Sequence, residues 1–278
     1  MKNLIKKSLF AVLVITLILS CFGLNFYQTK ESKNNRYSGY GENSYYSTYS
    51  SVITETVSYT SKEESYIETV NAVPLYTQIS DLPNSCGPTG GAIIVGYYDK
   101  YYDNLIPDFV PTLSSGKYKK NDRIAVPNLM RDLYTLMRTN VDDVGVGQGD
   151  CMDGLKTYVQ NRGYSLSYSN IKSNNTINTS NLTSAINSNE PALIFCSKMD
   201  LYIITTTSNK DSITYNSYTG GHVVVGYGLY SVKYFNGANQ FRSDVYIRVA
   251  TGLPGLDHGF LKVASTDWCN AAYTVDIY

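Results

Sequence analysis

The sequence predicts an α+β domain, with helices in the first half of its compact region and strands in the second. Two observations carry this. Between Cys86 and Asn187 apolar residues recur at helical spacings of three and four. From Pro191 onward they come in short β-branched and aromatic runs between turn residues. Helices followed by strands favour α+β over a βαβ alternation, which would interleave the two.

The chain opens on a targeting pattern. Lys2, Lys6 and Lys7 precede an apolar run from Leu9 to Leu19, a charged region followed by a hydrophobic one of signal-peptide length. Ile18-Leu19-Ser20-Cys21 loosely resembles a lipoprotein cleavage box, in which the cysteine is lipid-modified. Cleavage near Gly23 and an uncleaved anchor reaching Phe26 are the alternatives. All three put the remainder outside the cytoplasm, secreted or anchored to the outer face of the membrane. Residues 1–23 are thus expected to be a signal peptide or lipoprotein signal. Residues 24–71 are rich in Ser, Thr, Asn, Glu and Tyr and poor in aliphatic residues, as expected of a flexible spacer or a pro-segment. Within them, Val52-Ile53-Thr54-Glu55-Thr56-Val57 alternates with the period of a strand.

The compact domain is expected over 72–278. Gly87-Pro88, then Ala92, Ile93, Ile94, Val95, Tyr97, Tyr98 and Tyr101, read as a buried helix with proline in its first turn. Ile124 to Met137 is a second helix, Gly154 to Arg162 a third closed by Gly163, and Leu182 to Asn187 a short fourth. Pro191 to Cys196 is a buried strand. Ser212 to Tyr215, His222 to Tyr227, Val245 to Ala250, Phe260 to Val263 and Thr274 to Tyr278 are further strands. Asn236-Gly237 and Gly252-Leu253-Pro254-Gly255 are the turns between them.

Composition narrows the function. Lys+Arg and Asp+Glu both number 23, so no basic excess points to nucleic acid. There are 27 Tyr and a single Trp, a composition suited to strands and binding surfaces. Val144-Gly145-Val146-Gly147-Gln148-Gly149-Asp150 lacks the Lys-Ser/Thr of a phosphate loop. Asp142, Asp143, Asp150 and Asp153 lack calcium-loop spacing. With no CxxC pair, HExxH helix or His cluster, no metal or cofactor is expected. One disulfide among Cys151, Cys196 and Cys269 is compatible with an exported chain.

Two segments carry chemistry. In the first, Cys86 opens a helix directly before Gly87-Pro88. Unpaired N–H groups and peptide dipoles there favour a thiolate. The Cys86 N–H and the Gln78 side chain are candidate oxyanion donors. In the second, Gly220-Gly221-His222-Val223-Val224-Val225 places one of only two histidines at the head of an apolar strand. The other, His258, lies in what reads as an exposed turn beside Asp257.

Val73-Pro74-Leu75-Tyr76-Thr77-Gln78, Cys86-Gly87-Pro88-Thr89-Gly90-Gly91, Gly96-Tyr97-Tyr98-Asp99 and Gly220-Gly221-His222-Val223-Val224-Val225-Gly226-Tyr227-Gly228 together resemble the papain-like cysteine peptidases. The branch most similar comprises the bacteriocin-leader (double-glycine) peptidases and their secreted relatives. The resemblance covers roughly Val73 to Val263. It implies a papain-like fold, with the Cys helix of an N-terminal helical half packed on a C-terminal antiparallel sheet. It also implies Cys86 as nucleophile, His222 as base, Gln78 as oxyanion donor and a peptide or protein as substrate. The family's His-orienting Asn or Asp has no counterpart at the end of the following strand. Thr251, Asp244, Asp257 or a backbone carbonyl is left to fill that role. A cell-wall amidase or acyl transferase would use the same pair, and an inactive surface binding module would use neither residue.

Overall fold

Beyond Pro191 the chain is dense in Val, Ile, Thr and Tyr, residues that suit a pleated, half-buried surface. The structure, a computed structural model, describes residues 48–49, 52–69, 73–102, 104–107, 113–114, 117–118, 124–141, 145–173, 176–263 and 268–278. The expected targeting segment with Cys21, and the aspartates at 142 and 143, lie outside the described residues. The chain begins with strands β1 (Thr48–Tyr49), β2 (Ile53–Ser58) and β3 (Ser61–Glu68), then helix α1 (Cys86–Tyr98). The short β4 (Leu113–Ser114) and β5 (Lys117–Tyr118) lead to helices α2 (Ala125–Leu136) and α3 (Gln148–Asn161). Next come β6 (Leu166–Asn170), β7 (Lys172–Ser173), β8 (Thr176–Ile177) and α4 (Thr179–Asn187). The long strands follow: β9 (Ala192–Thr207), β10 (Lys210–Asn236), β11 (Asn239–Leu253), β12 (Leu256–Lys262) and β13 (Cys269–Ile277).

The expected half-helical, papain-like α+β fold is not what forms. The fold is predominantly antiparallel β-sheet. One nine-stranded sheet runs β1-β10-β11-β12-β9-β13-β6, with β2 and β3 also paired to β10. The four helices among the described residues are short, the longest having 14 residues. The reason lies in polar strands that read as loops. Segments 197–207, 216–221 and 228–236 are rich in Thr, Tyr and Ser, and they extend the expected strands into ladders of 16 and 27 residues. Ser212 to Tyr215 and His222 to Tyr227 are parts of one strand. Residues 53–68, inside the stretch expected as spacer or pro-segment, also join the sheet, where β2 pairs with the start of β10 and β3 with its end.

β10 curls until its ends meet at the β2–β3 turn. Tyr59 N–H donates to Asn209 O at 3.0 Å and Thr60 N–H to Phe235 O at 2.9 Å. The enclosed core is built from Tyr59, Ile213, Tyr230, Val232, Tyr234 and Tyr246. Buried phenols need acceptors, and the carboxylates supply them. Asp211, itself fully buried, accepts from Tyr59 at 3.0 Å and Tyr234 at 2.9 Å, and Lys62 donates to it at 3.2 Å. Burial alone would raise the Asp211 carboxyl. The donors Thr206, Tyr234, Tyr59 and Lys62 outweigh it and hold the group below its ordinary range.

The second core lies between the helices and the sheet. α1 is apolar on every side and buried from Gly87 to Tyr98, which is how a helix inside a core reads. Its glycines cost helix propensity but let partners approach closely. A Cβ on Gly90 would stand 3.0 Å from Leu193 and 3.1 Å from Val223. A Cβ on Gly87 would overlap Val146, at 2.3 Å. The first presses the helix onto β9 and β10, and the second seats the 145–148 loop on its N-terminus.

Candidate active site

Gln78, Cys86 and His222 line one cleft of about 360 Å³. Three elements deliver them. Cys86 is the first residue of α1 and remains partly exposed, whereas the helix behind it is buried. His222 lies on β10 just past a register shift: Thr219 faces Lys198 but His222 faces Cys196, so β10 carries one extra residue. Gly220, at φ +114°, absorbs this bulge. Without the extra residue the alternation would turn the imidazole to the other side of the sheet. Gln78 is tied down by its own backbone, its N–H donating to Gly252 O at 2.8 Å.

A second bulge orients the imidazole. Ala250 pairs with His258 and Leu253 with Leu256, leaving an extra residue on β11 around Thr251 and Gly252. Gly252 sits at φ +71°, a conformation natural to glycine. The turn brings the Thr251 carbonyl 2.7 Å from His222 Nε2. A carbonyl can only accept, so Nε2 carries the proton and Nδ1 of the neutral ring keeps a free lone pair. Among the candidates for the orienting role, the main chain of Thr251 fills it. The Thr251 hydroxyl is used elsewhere, donating to Leu256 O and accepting from Leu253 N–H at 3.0 Å. Asp244 is bound by Arg242 and Lys262, the latter at 2.6 Å, in the tyrosine-rich core. Asp257 bonds His258 Nδ1 at 2.6 Å on the surface. The structure brings neither carboxylate to His222.

A third bulge follows Cys269, where Asn270 is the extra residue and reaches the cleft. Opposite the β10 wall stand Gly145, Val146, Gly147 and Gln148. Sequence reading set this loop aside because it lacks phosphate-binding residues. Its role shows only in its position, since glycine and valine in a wall carry no chemical signature. The cleft contains no Asp, Glu, Lys or Arg among its described lining residues.

Electrostatics set the resting state. Burial pushes the Cys86 thiol up, opposed by the N–H groups of Val223, Gly87 and Cys86 that face the sulfur. Burial pushes the His222 imidazole below its ordinary 6.5, opposed by the Thr251 carbonyl. Both shifts favour the uncharged forms, a thiol and a neutral imidazole. Among the described residues no three His, Cys, Asp or Glu side chains group as a metal site. No helix among them is long and apolar enough to cross a membrane.

No known family model matches the chain, and no curated protein matches it.

Proposed function

We propose that this chain is an exported cysteine-type peptidase in which Cys86 attacks a peptide carbonyl with His222 as base. The observation that supports it most is the 2.7 Å bond from His222 Nε2–H to the Thr251 carbonyl, which leaves Nδ1 as a base in the cleft that Cys86 lines. The motif resemblance to papain-like cysteine peptidases supports the same chemistry.

As the sulfur attacks, its proton passes to His222 Nδ1, so thiolate and imidazolium arise together during the step. The Thr251 carbonyl stabilises the imidazolium. The Cys86 N–H and the Gln78 amide hold the oxyanion. His222 then protonates the departing amine, leaving a thioester. Water, deprotonated by His222, releases the acid and restores the thiol. An uncharged cleft suits substrates without charged side chains beside the scissile bond, because a charge buried there would lack a partner.

A second reading is an inactive binding module, favoured by the raised thiol and lowered imidazole. Hydrolysis of unfolded casein by the wild type and by Cys86→Ala separates the two. The expected result is hydrolysis that Cys86→Ala abolishes and Gln78→Ala slows about 10²-fold. Hydrolysis persisting in Cys86→Ala would sink the peptidase reading, and none in the wild type would favour the binding module.

A further inference from the structure

The peptidase chemistry uses one of the four cysteines among the described residues, and all four are free thiols in this structure. Cys196 and Cys269 stand apart from the others because they face each other. Cys269 on β13 is the register partner of Cys196 on β9. Directly opposed residues of an antiparallel pair share a face, with Cα atoms about 4.5 or 5.5 Å apart. Both spacings fall within the range of about 4.4–6.8 Å that a disulfide bridges. Both side chains are buried. The pair adjoins the cleft: Cys196 is also the partner of His222 across β9 and β10, and Asn270 beside Cys269 lines the cavity.

We infer that Cys196 and Cys269 are an oxidisable pair that closes a cross-strand disulfide, stapling β13 to β9 beside the cleft while Cys86 stays free. The oxidant is a small-molecule disulfide. One cysteine thiolate attacks a sulfur of the oxidant and expels its first thiolate, giving a mixed disulfide. The second cysteine thiolate attacks the protein sulfur of that mixed disulfide and expels the other thiolate. Two S–H bonds and one S–S bond are lost, one S–S bond forms, and the oxidant leaves as two thiols.

Burial sets when this happens. It drives the Cys196 thiol well above 9.0, with Cys269 and Cys86 adding to the effect, and it pushes Cys269 to about 11. Few thiolates form in the folded chain, so exchange is fast only while the strands are still assembling.

The full chain, reduced and unfolded, is refolded in mixed reduced and oxidised glutathione. It is then quenched with iodoacetamide in denaturant, digested without reduction and mapped by mass spectrometry. The expected map has one cross-linked peptide joining Cys196 to Cys269, with Cys86, Cys151 and Cys21 alkylated. A chain already folded under reducing conditions should acquire the bond more slowly on adding oxidised glutathione. Alkylation of both Cys196 and Cys269 after oxidative refolding, or a bond from either to any other cysteine, would overturn the inference. None of these outcomes depends on peptidase activity.

Discussion

At the scale of single residues, the proposed site works through a main-chain oxygen. His222 is held by the Thr251 carbonyl, so its orientation depends on the backbone at Gly252 more than on any side chain. Asp257→Asn should therefore leave kcat unchanged. Gly252→Val should lower it, because a β-branched residue resists φ +71° and its Cβ would meet Thr89 at 3.0 Å. Steady-state kinetics on one substrate checks both variants, and a large loss in Asp257→Asn would return the role to a carboxylate. Gln78, Cys86 and His222 were legible in the sequence because each has a side-chain identity tied to its chemistry. The orienting group was narrowed only to Thr251, two aspartates or a backbone carbonyl, since any residue carries a carbonyl. Its trace was Gly252, which read only as a turn. The state of the thiol was not legible either, because the desolvation that opposes the helix N-terminus arises from packing.

At the scale of elements, three bulges converge on the cleft, at Gly220, at Thr251–Gly252 and at Asn270. Bulges re-aim side chains without altering the ladders beyond them. The curled part of the sheet depends on Asp211, which joins the β2–β3 turn, β3 and β10. Asp211→Ala would strand two buried phenols and a largely covered ammonium. A loss of about 3 kcal/mol is expected, measured by urea unfolding, since removing one partner of a buried ion pair costs about 3–5 kcal/mol and Lys62 keeps Glu64. A loss under about 0.5 kcal/mol would mean that β2 and β3 contribute little. The four helices among the described residues were readable from apolar periodicity, although α3 begins at Gln148, before the first apolar repeat. The strands were readable only where aliphatic residues clustered. The 27-residue β10 was broken in two because Asn216 to Gly221 offers no alternation of apolar and polar residues.

At the scale of the whole molecule, the tyrosine excess finds its place in the curled sheet. Tyr227, Tyr230, Tyr234 and Tyr246 are among the largest fully buried side chains. This outcome overturns the half-helical expectation, since the sheet encloses a core of its own. Stability should follow pH accordingly. His222 has a folded pKa below its ordinary 6.5, so as pH falls past 6.5 the unfolded chain takes the proton first and stability drops. The partly exposed thiol of Cys86 and the buried thiols of Cys151, Cys196 and Cys269 are all raised above 9.0 when folded. As pH rises past 9.0 the unfolded reduced chain loses those protons first, and stability drops again. Lys100, lowered to about 8 by burial, adds a gain in stability above that pH but is one group against four thiols, so thermal midpoints of the reduced chain should vary little between about pH 6.5 and 9 and fall beyond. A midpoint still rising above pH 9 would contradict the buried, neutral thiols.

The central claim is that His222 acts as a base on Cys86. It is tested most directly by the rate of iodoacetamide alkylation at Cys86 across pH, assigned by mass spectrometry, in the wild type and in His222→Ala. The wild-type rate is expected to rise as His222 loses its proton, below its ordinary 6.5, and to stay high through neutrality. His222→Ala should lose that component and react only as its buried thiol ionises, above pH 9. Superimposable profiles for the two proteins would show that the imidazole does not act on the sulfur, and the proposed mechanism would fall.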